Sequence, residues 1–169
     1  DFQLTANVTV RQTREWMAKR DETSKVELVK LIHYRFSKRY LKHLSEINSG
    51  FLKMAIACLT IETLESFRQG KTNTRGVGKQ MFRDFFSREK KLFPDFDSIY
   101  CCFYLDIRCG ILHQAETNNA WRILRDSSPI VDKKERTINA VKFVESLEQA
   151  LNNYIRELEA NAFNSQIWK

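Results

Sequence analysis

The sequence predicts an all-α domain: four main helices, one short helix, and a small irregular or hairpin excursion near residues 118–136. Only 5 glycines and 2 prolines punctuate 169 residues, too few turn formers for a β-sandwich or barrel. With 43% hydrophobic residues, among them 12 Phe and 3 Trp, the chain can bury a sizeable core. Apolar residues also recur at helical spacing along most of its length.

Residues 1–22 read as an N-terminal arm. Leu4, Ala6, Val8 and Val10 alternate as in one edge strand, and Arg11–Glu22 is polar and charged. Residues 23–169 read as one helical domain. Ser24, with Glu27 three residues on, has capping-box spacing for a long first helix. Val29, Ile32, Phe36, Tyr40, Leu44 and Ile47 line one face of it, and Asn48-Ser49-Gly50 ends it. A second helix runs from Phe51 to Phe67; its first half is apolar nearly all round, which puts it at the centre of the domain. Residues 70–79 form a polar loop, and Lys79 to Phe86 a short helix with Met81, Phe82, Phe85 and Phe86 inward. Pro94 breaks the chain, and Asp95 or Asp97 caps the next helix, where Ile99, Phe103, Ile107 and Ile111 stand at strict four-residue spacing. The excursion carries Trp121, Ile123, Ser127-Ser128-Pro129 and Ile130-Val131. The last helix starts near Thr137 with Ile138, Val141, Val144, Leu147, Leu151, Tyr154 and Leu158 on one face.

The net charge of +7 favours a polyanionic partner, nucleic acid first. No run approaches the roughly 18 apolar residues of a membrane helix, and no signal-peptide pattern opens the chain. It begins at Asp1 without Met, as a trimmed piece would. Cys58, Cys101, Cys102 and Cys109 are too few and too clustered for a disulfide framework, and reduced thiols suit a cytoplasmic protein.

Several motifs fail on inspection. Gly70-Lys71-Thr72 resembles the end of a P-loop, but Glu65 occupies the place of its first glycine and a helix precedes it. Cys109 and His113 share a helical face, with Cys102 and Asp106 along the same stripe, yet only two can reach one tetrahedral ion; no metal or cofactor is expected. His33 and His43 lie among polar neighbours and read as surface residues. Arg35, Lys38, Arg39 and Lys42 are spaced as one positive ridge. It suits RNA phosphates, and it equally suits the solvated side of an amphipathic helix.

Residues 104–117 hold what remains: Asp106, Arg108 and His113. An imidazole that moves protons near neutral pH, a fixed guanidinium that stabilises charge on phosphorus oxygens and a carboxylate can cleave RNA without metal, the 2′-OH serving as nucleophile. On an unbroken α-helix the step from Arg108 to His113 is about 500°, which leaves them about 140° apart. The site therefore needs a break near Gly110 or a groove between helices, and a two-fold dimer supplies such a groove. Arginine is frequent enough that the bare spacing arises by chance about once in such a chain, so the surrounding residues matter more.

Those residues are Tyr104-Leu105-Asp106-Ile107-Arg108-Cys109-Gly110-Ile111-Leu112-His113-Gln114-Ala115-Glu116-Thr117, with Trp121 and the weaker Ala57–Phe67 stretch. Together they resemble the HEPN superfamily, helical-bundle domains whose ribonuclease members carry an arginine four to six residues ahead of a histidine. Within it they resemble a family encoded on bacterial plasmids and in defence loci. The resemblance covers residues 24–160. It implies a HEPN-like bundle, a homodimer with a composite site, Arg108 and His113 as the catalytic pair, Asp106 as orienter and Glu62 as an accessory polar residue. It implies metal-independent cleavage of single-stranded RNA by a toxin or antiviral defence effector, with an antitoxin or companion defence protein as further partner. One departure stands out: family members paired with nucleotidyltransferase antitoxins have a tyrosine two residues after the histidine, where this chain has Ala115, so silencing by tyrosine modification there is closed to it. The alternatives are a non-catalytic helical module that binds nucleic acid or a protein through Arg35, Lys38, Arg39 and Lys42, and a purely structural dimerisation domain.

Overall fold

The computed structural model describes residues 1–126 and 129–168. Strands β1 (Gln3–Thr5) and β2 (Val8–Thr9) pair antiparallel and lead into α1 (Val10–Lys19). Helix α2 covers 22–44: α-helical over Glu22–His33, π-helical over Tyr34–Leu41, then a last turn Lys42–Leu44. Helix α3 is Gly50–Arg68 and α4 is Gly78–Arg88. Helix α5 covers 96–114, again with a π-helical middle, Phe103–Cys109, between α-helical Phe96–Cys102 and Gly110–Gln114. Strands β3 (Arg122–Leu124), β4 (Val131–Asp132) and β5 (Thr137–Asn139) precede α6 (Ala140–Ala160) and a short 3-10 turn, Gln166–Trp168.

The expectation of a purely all-α domain with four main helices is overturned: the described residues form six helices and two small sheets. Both additions have local causes. The apolar alternation at the N-terminus pairs with itself as the β1–β2 hairpin. The charged stretch after it folds as α1 because Thr9 and Gln12 form a capping box, the Thr9 hydroxyl accepting from Gln12 N–H at 3.2 Å and Gln12 Oε1 from Thr9 N–H at 2.9 Å. At the other end, Thr137 and Ile138 do not begin the last helix. Asn139 caps it, its side-chain oxygen accepting the N–H groups of Val141 and Lys142 at 3.0 and 3.1 Å. Ile138 instead lies fully buried in the central strand of a β3-β5-β4 sheet, parallel to β3 and antiparallel to β4. The Ser127-Ser128 pair of the expected excursion lies outside the described residues.

Caps shift elsewhere as well. Asp21, not Ser24, caps α2, its carboxylate accepting from Ser24 N–H at 2.7 Å. Ser49 opens α3 rather than closing α2, its hydroxyl accepting from Leu52 N–H at 3.2 Å. Asp95 stands at the N-cap of α5 with φ +72° and no side-chain cap bond.

The core centres on phenylalanine. Phe82, Phe85, Phe86, Phe93, Phe96, Phe103 and Phe143 are buried together, binding α4, α5 and α6. Phe103 and Phe143 stack at 5.4 Å, and Phe86 meets Phe103 edge-on at 5.1 Å. Phe103, Ile107 and Ile111 thus hold α5 inward. A repeat of four residues overshoots a 3.6-residue turn by about 40° each time, so a regular α-helix would rotate Ile111 off the core. The i→i+5 bonding of the π-helix widens the turn and keeps that stripe inward. Among the described residues, no helix is long and apolar enough to cross a membrane.

Gly110 ends the widened stretch where the chain returns against its own helix. A Cβ there would stand 2.5 Å from the Glu116 carbonyl oxygen. Alanine is the better helix former by about 1 kcal/mol, but overlap with backbone outweighs that. Gly110→Ala is expected to lower stability by about 2 kcal/mol, a fall of roughly 4–8 °C in thermal melting. A variant as stable as the parent would show that the 116–118 backbone can yield.

Candidate active site

Arg108 is held from two sides. Its Nη2 and Nε both donate to Glu62 Oε2 of α3, at 2.8 and 3.2 Å, and its guanidinium lies 5.4 Å over the Tyr104 ring. Glu62 is fixed in turn by the Thr74 hydroxyl, which donates to Oε1 at 2.6 Å. Partial burial works against the charged guanidinium, but the hydrogen bonds and charge of Glu62 outweigh it and hold Arg108 above the ordinary arginine range. Burial likewise raises the Tyr104 phenol, which the Arg108 charge only partly offsets.

One edge of the guanidinium stays unbound by Glu62. Arg108 Nη1 reaches Nε2 of the exposed His113 at 3.3 Å. A guanidinium has no acceptor, so Nε2 is the acceptor in this contact and the proton of the neutral ring sits on Nδ1. Arg108 and His113 therefore meet within one chain, although an ideal α-helix would turn them apart. The helix does not break at Gly110: Arg108 stands near the end of the π-helical stretch, His113 in the α-helical turn that follows, and the long arginine side chain spans the distance between them.

Asp106 is placed differently from the expected orienter. It is buried, its carboxylate accepts from Asn119 Nδ2 at 2.9 Å, and its carbonyl accepts from Asn118 N–H at 2.9 Å. It ties the 116–121 return loop to α5. Glu62, the accessory residue, is the carboxylate that positions the pair. Beside Arg108 opens a groove of about 340 Å3, walled by Leu59, Glu62, Thr63, Thr72, Thr74 and Leu112.

The basic residues Arg35, Lys38, Arg39 and Lys42 of α2 are all exposed. Arg35 and Arg39 line a cavity against the N-terminal hairpin, whereas Lys42 lines another groove with His33 and Glu148, and Lys38 is exposed. His43 is exposed and donates from Nε2 to the Lys38 carbonyl at 2.9 Å. Cys58 is buried, which pushes its thiol far up and keeps it protonated; Cys109 Sγ lies 3.9 Å from Arg108 Nη1.

Three contributors escaped the sequence. Thr74 sits in a polar loop without a distinguishing pattern. Tyr104 was adjacent to the motif but carried no signal of its own. Gly78 falls in the stretch expected to be a polar loop, yet a Cβ there would stand 2.9 Å from the Tyr104 hydroxyl and 3.3 Å from Glu62 Oε1, so its bareness lets α4 approach Tyr104 and Glu62. Compared with known families, curated proteins and solved structures, the chain has no match.

Glu62→Gln keeps the shape and removes the charge that fixes Arg108. It is expected to cost about 2 kcal/mol of stability and to speed hydrogen exchange in the last turns of α5. Asp106→Asn should instead speed exchange at 116–121 and leave the Glu62–Arg108 pair in place. Identical exchange patterns for the two variants would contradict this division of roles.

Proposed function

We propose that the protein is a HEPN-type, metal-independent endoribonuclease that cleaves single-stranded RNA, acting in the cytoplasm as a toxin or defence effector. The observation that carries the proposal is the Arg108–His113 contact: a guanidinium anchored by Glu62 with one edge turned to an exposed imidazole. A scissile phosphate entering between them takes the free Nη1–H of Arg108, and Nε2 of His113 is released to accept the 2′-OH proton. The 2′-oxygen then forms its bond to phosphorus, the 5′-oxygen leaves with a proton, and a 2′,3′-cyclic phosphate remains.

The leaving oxygen needs an acid while His113 acts as base, and a second copy of the chain brings a second His113. The surface around the site supports that arrangement. Leu52 and Leu59 on α3 and Leu105 and Leu112 on α5 are large hydrophobic residues left exposed, and Leu59 and Leu112 wall the groove beside Arg108. A two-fold contact across these helices would cover them and pair the sites. Arg35, Lys38, Arg39 and Lys42 are not among the residues that wall the groove.

Purified protein incubated with mixed-sequence single-stranded RNA in EDTA should leave 2′,3′-cyclic phosphate ends. His113→Ala and Arg108→Ala should each lower the rate by about 100-fold or more, His113→Ala with a melting temperature close to the parent and Arg108→Ala with a loss of stability like that of Glu62→Gln. Unchanged cleavage by either variant overturns the assignment. RNA binding without cleavage by the parent would turn the reading to a non-catalytic module.

The dimer is tested separately. Leu59→Glu with Leu112→Glu should sediment as a monomer and lose cleavage while keeping its helical circular dichroism. A dimer that survives both charges would place the interface elsewhere.

A further inference from the structure

Arg35 and Arg39 stand at the mouth of a cavity of about 370 Å3, enclosed by the β1–β2–α1 flap, α2, the end of α3 and α6. That volume lies within the range of small-molecule sites. The wall is apolar, with Leu28, Ile32, Phe67, Tyr154, Leu158 and Trp168 facing in, and no carboxylate among the residues that line it. The flap is held lightly: α1 has no fully buried residue, and Met17, which it contributes to the wall, is 46% exposed.

The charges make the cavity more than a packing defect. Arg35 lies 5.4 Å over the Phe67 ring, and Arg39 donates to the Leu4 carbonyl. Among the described residues, neither has an Asp or Glu within ion-pair distance. Arg68, Arg88 and Arg108, by contrast, are each paired with a glutamate. Two guanidiniums without carboxylate partners above an apolar chamber complement an amphiphile with an anionic head, because the fork of an arginine matches a carboxylate in shape and charge.

We propose that this cavity binds a medium-chain fatty carboxylate, its alkyl chain against Phe67, Tyr154 and Trp168 and its head paired with Arg35 and Arg39. The site is independent of the Arg108 groove and of the ribonuclease proposal. Calorimetric titration with dodecanoate, below its micelle concentration, is expected to show one saturable equivalent. Arg35→Gln with Arg39→Gln should weaken it by about tenfold or more and leave the binding of neutral dodecanol unchanged. Lys91→Gln with Lys134→Gln removes the same charge from exposed residues outside the cavity and should bind dodecanoate as the parent does. Thr13→Phe fills the chamber from α1 and should exclude both ligands. No saturable binding by the parent overturns the proposal. So does parental affinity in the double-arginine variant, an equal loss in the lysine variant, or full binding by Thr13→Phe.

Discussion

The π-helical stretch of α5 determines where Arg108 stands. On its inner side Phe103 and Ile107 are locked into the aromatic core, and Ile111 follows them a turn later. With those three fixed, the widened turn decides what the outer side presents. Arg108, within it, meets Glu62 on α3, and its remaining edge reaches His113 in the α-helical turn that follows. Packing of apolar residues thus sets the geometry of the polar ones, and the strain of a rare helix type is met by the core rather than by the site.

The Glu62–Arg108 pair has value in position more than in stability. Each side chain is largely buried, at 14% and 17% exposed, so desolvation offsets much of the Coulomb gain. What the pair supplies is a guanidinium that cannot swing away. Helix α3 repeats the device one turn on, where fully buried Glu65 takes Arg88 through both nitrogens, and Arg68 at its end takes Glu157 at 2.7 and 2.9 Å. The first half of α3 is therefore a hydrophobic strut and its second half an electrostatic one. Its sides differ too, since Leu52 and Leu59 face outward, against the expectation of burial all round.

Much of the helical framework was legible because long apolar stripes leave little choice: the inward phenylalanines of α4 and the stripe of α6 from Val144 to Leu158 lie buried as their spacing requires. The sheets were not, because strands of two or three residues carry too little periodicity to outweigh a neighbouring helix pattern. Ile138 fits the α6 stripe as well as it fits β5, and only the Asn139 cap separates them. At the site, Arg108 and His113 were legible as residue types. Spacing pointed to Asp106 as the carboxylate, but it is bonded to Asn119; Glu62, which only the resemblance singled out, comes from another helix, a long-range pairing that spacing cannot reveal.

The widened helical stretches did leave a trace in the sequence. Ile99, Phe103, Ile107 and Ile111 repeat every four residues, and so do Ile32, Phe36, Tyr40 and Leu44 in α2. Both runs contain a π-helical stretch. A stripe that keeps four-residue spacing over three steps drifts about 120° on a 3.6-residue helix, so it stays inward only if the helix unwinds. In α2 the same unwinding puts Phe36 and Leu41, five apart, both into the core at 1% exposure. Along the same helix Arg35 and Arg39 line the cavity beneath the N-terminal hairpin, and Lys42 lines a separate groove.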